Sequence, residues 1–505
     1  MDRREALRWM AGAALGVSPL GLALGRSSTR SDARAVATRA SGRASGTMIS
    51  GIQPEALALS IQGGLVFTGG ALRSLCVGVG HDGRIRLSET PLPAERVLDA
   101  TDRIVAPGFI DILGDNSSKP EKTYLTYEQY KLTDGVSTAL QMHGGAGSVG
   151  AYRRHFDSLP HHVNFGTSTK VMIIRNRYHD HATRLRKIEE SLDAGALGVS
   201  HSPEYQPDTT FAELVDYGRL ARRYERPLVL HLRYSSSARE LDGVREAVRV
   251  VERTGVRLHI AHLNSTGGTF HMEDALGIIR DARARGMEIT CCVYPYSYWA
   301  TYVSSARFGP GWQEHFGLDY GDLTVVGTGE RLTARSFARY RRTPGILVAV
   351  PPETQPLSRT FDLAIREDFC MVASDGGIER EAHANSHPRG AGCFSTALRH
   401  SQDAGIPLTQ LLPAMTSRPA ALARLDSRGE IRDGYVADLT VFDPRSVNGR
   451  ATAANPDQYS AGIDAVVVNG KVSYVPVPGR PLGMNGRPQW AKPATVQAEL
   501  AEKVG

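Results

Sequence analysis

Leu228-Val229-Leu230-His231 and Leu258-His259-Ile260-Ala261-His262 are two short apolar runs, each closing on a histidine. Between them, 238–253 carries Val244, Ala247, Val248 and Val251 at helical spacing, and Gly255 stands where a helix C-cap belongs. Strand, helix and strand within about thirty residues form a βαβ unit, so the two strands are expected to be parallel neighbours. Both histidines then fall at strand C-terminal ends, the side on which parallel α/β barrels carry their chemistry. A single histidine at a strand end is ordinarily a satisfied polar group. Two in matched positions on neighbouring strands can share one metal ion.

The same alternation extends both ways. Strand candidates lie at 104–113, 137–142, 163–172, 196–200, 228–232, 258–263, 288–294 and 369–374, most followed by a helical segment. Thr210-Phe211-Ala212-Glu213 reads as a capping-box helix start. Eight such units predict an α/β chain with a (β/α)8 TIM-like barrel across 106–425. It is interrupted at 297–359 by an insertion carrying Trp299, Tyr302, Phe308, Trp312, Phe316, Tyr320 and Tyr340. That insertion fits a lid or substrate wall as well as it fits a surface excursion with its own small core. Segments 55–105 and 426–485 read as β-rich, which predicts a small β-sandwich closed by both chain ends. Residues 486–505 are left as a C-terminal tail.

Apolar content of 41% and charged content of 22% over 505 residues suit a soluble globular protein. The net charge of +6 owes much to arginines in the first 45 residues, Arg3, Arg4, Arg8, Arg26, Arg30, Arg34, Arg39 and Arg43, against Asp2, Glu5 and Asp32. The remainder is close to neutral, so nucleic acid is not an expected partner. Asp2-Arg3-Arg4-Glu5 opens a twin-arginine n-region, and 9–24 is a short, Gly-containing apolar run. That run is too short for a stable membrane span. Residues 1–46 are therefore expected to be an export signal and spacer, with the mature protein periplasmic or extracellular. The five cysteines are odd in number and lack Cys-x-x-Cys spacing, which excludes a disulfide framework.

Val372-Ala373-Ser374-Asp375-Gly376-Gly377 puts a carboxylate at the end of the eighth strand, placed to bind metal or take a proton. Arg389, in His387-Pro388-Arg389, can hold a substrate carboxylate. Tyr294, in Tyr294-Pro295-Tyr296, can donate to a developing oxyanion. Each alone fits a structural role, but together they converge on one barrel mouth.

Ile104-Val105-Ala106-Pro107-Gly108-Phe109-Ile110-Asp111, the two strand-end histidines, Ser374-Asp375-Gly376 and 434–444 resemble the amidohydrolase superfamily. Tyr294-Pro295-Tyr296, His387-Pro388-Arg389, Met415-Thr416-Ser417-Arg418-Pro419-Ala420 and 458–470 resemble its D-aminoacylase (N-acyl-D-amino-acid deacylase) branch. The resemblance implies a metal-dependent barrel beside a β-sandwich, hydrolysing the amide of N-acyl-D-amino acids. By matched position it makes His231 and His262 metal ligands and Asp375 the base acting on a metal-activated water. Arg389 would bind the substrate carboxylate, Tyr294 would polarise the scissile carbonyl, and Tyr205 would help to hold the substrate.

The departures are specific. Leu113 and Asp115 stand where the superfamily has His-x-His. The branch's cysteine ligand falls near His143-Gly144-Gly145, and its lysine after the sixth-strand histidine is Asn264. The expectation is a single Zn2+ per chain held by His231, His262 and, as a replacement ligand, His143. His201 and Asp115 are expected near the mouth, and Lys170 is a candidate surrogate charge or carbamylated bridge. The resemblance implies a small-molecule substrate carrying a carboxylate. Alternatives are an amidohydrolase acting on a cyclic amide or D-residue peptide, and an inactive barrel kept as a binding protein.

Overall fold

The chain's parallel strands line up in sequence order as one eight-stranded sheet: β1 (Phe109–Asp111), β2 (Val136–Ala146), β3 (Asn164–Lys170), β4 (Val199–His201), β5 (Leu228–Leu230), β6 (Leu258–Ile260), β7 (Ile289–Val293) and β8 (Cys370–Val372). The structure is a computed structural model describing residues 56–115, 120–343, 345–351, 354–377, 387–477 and 482–492. The expected signal and spacer at 1–46 lie outside the described residues. Neighbouring strands pair in parallel from β1 through β8. Their short apolar stretches are buried on both faces, as a helix-wrapped parallel sheet requires. Ile110, Leu140, Met142, Val229, Ala261, Cys292 and Met371 meet in the middle of the barrel.

The helix between β5 and β6, Glu240–Thr254, buries Val244, Ala247, Val248 and Val251 and ends at Gly255 with φ 63°. Glycine accepts that left-handed C-cap without the steric penalty a Cβ brings. At the seam, β1 and β8 are tied through a side chain. Asp111 accepts from the Ser374 N–H at 3.0 Å and from the Ser374 hydroxyl, and forms an ion pair at 2.9 Å with the fully buried Lys131.

The single strand expected over 104–113 is two. Ile104–Pro107 belongs to the sandwich and β1 begins at Phe109, with the break at Gly108. A Cβ on Gly108 would stand 2.2 Å from the Ser137 hydroxyl, so only glycine lets the chain cross between the layers. The sandwich pairs a four-stranded sheet ordered Ile85–Ser88, Cys76–Val79, Leu59–Gln62, Val97–Asp99 with a six-stranded one. The second runs Lys471–Tyr474, Ile463–Val468, Leu439–Phe442, Ile104–Pro107, Leu65–Thr68, Ala71–Ser74, so strands from both chain ends share it. Leu59, Ile61, Val77 and Ile85 pack there against Val105, Leu439, Val441 and Val467. The Ile463–Val468 hairpin turns at Asn469-Gly470, both with positive φ, as a two-residue primed turn demands.

The insertion holds a three-stranded sheet, Ala300–Tyr302, Leu347–Ala349 and Thr324–Val325, over a core of its own with Trp299, Phe308, Trp312 and Phe337. Residues 486–491 return to the bottom of the barrel. Gln489 N–H bonds the Phe165 carbonyl at 2.7 Å and Ala491 N–H the Gly195 carbonyl at 3.0 Å. Among the described residues, no helix is long and apolar enough to cross a membrane.

Candidate metal centre

A cavity of about 340 Å³ opens at the C-terminal ends of the strands. His143, His231, His262, Asp375, Arg389, Tyr294, Tyr205 and Lys170 all line it. The insertion supplies its outer wall through Trp299, Thr301, Tyr302 and Arg307, so it has a core of its own and also faces the site.

Three backbone features aim the polar groups inward. Along the β2–β3 ladder Thr167 faces Gln141 but Thr169 faces Ala146, so β2 bulges outward by several residues around His143. Bulges re-aim side chains in this way at barrel rims. His262 and Asp375 have φ of 32° and 46°, left-handed positions that non-glycine residues occupy at a cost. The His262 N–H is directed at the Cys292 sulfur, 3.1 Å away.

The donor set suits a divalent ion. His143, His231 and His262 each offer a ring nitrogen within 4.8 Å of the others, and all three are buried. Two nitrogens about 2.05 Å from a tetrahedral centre stand about 3.3 Å apart. His231 Nδ1 and His262 Nε2 are separated by 3.3 Å. His143 Nδ1 is buried with no hydrogen-bond partner and lies 3.4 Å from Asp375 Oδ1, while Asp375 Oδ2 is 3.7 Å from His262 Nε2. The opposite ring nitrogens meet orienting oxygens. His143 Nε2 is 3.3 Å from Ser202 Oγ, His231 Nε2 3.5 Å from Glu204 Oε2, and His262 Nδ1 3.2 Å from Ser265 Oγ. Such outer contacts fix tautomer and ring orientation in metal sites.

The protonation states agree with that role. Burial pushes His231 and His262 below the usual imidazole range, so both offer neutral nitrogens. Burial alone would raise Asp375, but Arg389, then His262 and His143, hold its carboxyl well below the usual range. Burial likewise opposes ionisation of Glu204, yet Arg307, His231 and Ser235 bring it down to about 2. Neutral imidazoles and an ionised carboxylate are the forms that bind metal.

Arg389, expected to meet a substrate carboxylate, is also the counter-ion of Asp375. Its Nη2 is 2.6 Å from Asp375 Oδ2 and its guanidinium lies over the Tyr294 ring at 4.4 Å. The Tyr294 hydroxyl, beside Ser265 and Gln355, has no hydrogen-bond partner of normal geometry. Tyr205 Oη contacts Thr301 Oγ1 at 3.3 Å and its ring lies 4.9 Å from that of His231.

Two expected neighbours are not part of the cavity lining. His201 pairs through Nε2 with Thr209 Oγ1 at 2.9 Å and packs edge-on against Tyr217 of the following helix. Asp115 accepts from Gln141 Nε2 at 3.2 Å, while Leu113 joins the barrel core. Glu204 and Arg307 escaped the sequence reading. Arg307 comes from the insertion, is 8% exposed, and stands 3.3 Å from Glu204 and 4.3 Å from the Trp299 ring. Their meeting across 103 residues is not encoded in any local pattern.

Burial, then Arg175 and Arg233, push His201 down to about 3 from 6.5. The unfolded chain then binds one more proton than the folded one between those values. The stability from keeping this imidazole neutral is complete above pH 6.5 and is lost as pH falls toward 3, at about 1.4 kcal/mol per pH unit. Urea midpoints at several pH values in this window should therefore slope less in His201→Gln than in the unsubstituted protein; equal slopes would contradict this.

The sheet order, the sandwich drawn from both chain ends and the strand-end imidazoles facing a carboxylate after β8 support the resemblance to hydrolases of the amidohydrolase superfamily, D-aminoacylase branch. The profile of the Amidohydrolase family matches residues 383–474. N-acyl-D-glutamate deacylase of Alcaligenes xylosoxydans xylosoxydans is 28% identical over 478 residues, which is 84% of this chain and 95% of that one. D-aminoacylase of the same organism is 28% identical over 302 residues, 56% of this chain and 59% of that one. The crystal structure of N-acyl-D-glutamate deacylase from Bordetella bronchiseptica, complexed with zinc and a phosphonate mimic of the tetrahedral intermediate, is similar with a TM-score of 0.71 and 25% identity. It covers 86% of this chain and 100% of that one. These relatives are N-acyl-D-amino-acid deacylases, hydrolases acting on non-peptide C–N bonds.

Proposed function

We propose that the protein is an exported, zinc-dependent hydrolase of N-acyl-D-amino acids. The observation that carries this reading is the trio of buried imidazoles beside Asp375, whose carboxylate oxygens lie 3.4 Å and 3.7 Å from two of their nitrogens. When bound, one zinc ion supplies Lewis acidity and makes water a competent nucleophile near neutral pH. His143, His231 and His262 hold it. Asp375 takes the proton of the attacking water and returns it to the departing nitrogen, which leaves as the free amine. The Tyr294 hydroxyl donates to the oxygen on which negative charge develops. Arg389 receives the α-carboxylate while remaining close to Asp375, and Tyr205 walls the site beside His231.

The α-carboxylate at Arg389 and the scissile carbonyl beside Tyr294 and the three histidines would fix two arms of the substrate's chiral carbon. The wall of the cavity then distinguishes the hand of the third. A panel of N-acetyl-D- and N-acetyl-L-amino acids should give kcat/KM at least about 10²-fold higher for the D series, the scale at which a shaped pocket discriminates. Equal rates for both hands would contradict the reading, as would turnover of cyclic amides alone. Ligand binding without any turnover would make the barrel a binding protein. With residues 1–46 as an export signal and spacer, the mature protein would be found outside the cytoplasm, which cell fractionation tests.

A further inference from the structure

One side chain of the insertion reaches the contacts that orient two of the three histidines. Arg307 sits in the short turn Ala306–Phe308, is buried, and lays its guanidinium over the Trp299 ring at 4.3 Å and the Phe316 ring at 5.5 Å. Both rings pack in the insertion's own core. Arginine presents several donors in one rigid plane, so it can serve two acceptors at once. Here Nε donates to Glu204 Oε1 at 3.3 Å and Nη2 to the Ser265 carbonyl at 3.0 Å. Glu204 follows β4 and Ser265 follows β6, so a single guanidinium ties the insertion to two separate barrel loops.

Those two acceptors are the neighbours of His231 and His262. His231 Nδ1 and His262 Nε2 are the atoms that stand 3.3 Å apart, so a shared ion needs a lone pair on each and a proton on the opposite ring nitrogen. In His262 the opposite nitrogen, Nδ1, is 3.2 Å from Ser265 Oγ. The Ser265 hydroxyl has one hydrogen, which it donates to the His262 carbonyl at 3.1 Å. Its oxygen is then left to accept from Nδ1–H. In His231 the opposite nitrogen, Nε2, is buried and makes no hydrogen bond of normal geometry among the described residues. It stands 3.5 Å from Glu204 Oε2, which also accepts from the Ser235 hydroxyl. A carboxylate there favours a proton on Nε2, and the lone pair then falls on Nδ1. Glu204 and Ser265 thus select the tautomers that a shared ion requires, and Arg307 contacts both.

We infer that Arg307 is a positioning residue of the metal centre: by fixing Glu204 and Ser265 it holds His231 and His262 in the orientation that binds the ion, and so makes metal affinity depend on the insertion. This rests on the metal-centre reading above.

Zinc affinity, read by competition with a chromogenic chelator, tests it without reference to turnover. Arg307→Met keeps an unbranched side chain against Trp299 and removes the donors. It should weaken zinc binding by about 10–100-fold, the range that loss of an outer contact causes in metal sites, with circular dichroism native. Arg307→Lys keeps the charge but not the fork, and should also weaken it. Glu204→Gln should do the same. The double variant Arg307→Met with Glu204→Gln should then lose little more than either single one, because one residue acts through the other. The inference is overturned if zinc affinity in Arg307→Met and Arg307→Lys matches that of the unsubstituted protein. It is overturned also if the two single losses multiply in the double variant, since a general loosening of the insertion would act independently of Glu204. A raised KM for N-acyl-D-amino acids with zinc affinity unchanged would place Arg307 on the substrate and overturn it as well. If Arg307→Met does not fold, Arg307→Lys, Glu204→Gln and their combination decide by the same readout. An unsubstituted protein that binds no zinc is a distinct result: it fails the metal-centre reading itself and takes this inference with it.

Discussion

Asp375→Asn should lower kcat by about 10²–10⁴, the range a positioned general base contributes, with KM changed little. Asparagine keeps the side chain's size and can still accept from Arg389, whose Nη2 and Nε now contact the Asp375 side chain and carbonyl. It cannot take a proton. The loss should therefore appear in the chemical step, with zinc still held by the three histidines. Activity within a few-fold of the unsubstituted enzyme would remove Asp375 from the proton path. Complete loss of zinc would instead make it an indispensable ligand, a role the 3.4 Å and 3.7 Å separations from His143 Nδ1 and His262 Nε2 also fit geometrically.

Lys131→Met carries the largest expected effect on stability. Lys131 and Asp111 are both fully buried, 2.9 Å apart, and Asp111 is the side chain that joins β1 to Ser374 after β8. Removing one partner of a buried ion pair leaves an uncompensated charge and costs about 3–5 kcal/mol. Lys131 also lies close to Asp134, which burial raises to about 6 and the lysine's charge draws down. The ammonium thus offsets two carboxylates at the barrel seam. Urea unfolding should show the loss, and Asp111→Asn combined with Lys131→Met should recover part of it, because the pair is removed together. Additive losses in the double variant would mean that the two residues act independently.

The sequence made the barrel legible where hydrophobic runs, helical spacing and capping residues agreed, above all from 228 to 262. It was least legible where tertiary constraint decided the outcome. The 104–113 run looks continuous, and its division between two layers falls at Gly108, where a Cβ would stand 2.2 Å from the Ser137 hydroxyl. His231, His262 and Asp375 could be found because each ends an apolar run. His143 sits on a bulge whose register jump is visible only in the pairing of β2 with β3, and the resemblance rather than the pattern singled it out. His201 also ends a strand, yet it belongs to Thr209 and Tyr217, so a strand-end position alone does not make a ligand. Glu204 and Arg307 form their pair across more than a hundred residues, and Lys131 shares the helix Pro120–Thr133 with Glu121, Lys122 and Glu128, so no local pattern marks it as the charge buried at the barrel seam.

Metal analysis of the purified protein, run beside the D-aminoacylase assay on the unsubstituted chain and on His143→Ala, tests the central claim most directly. One equivalent of zinc, lost together with activity in His143→Ala while circular dichroism stays native, is the predicted result. Full zinc occupancy in His143→Ala, or a metal-free protein that hydrolyses N-acyl-D-amino acids at the same rate, would contradict it.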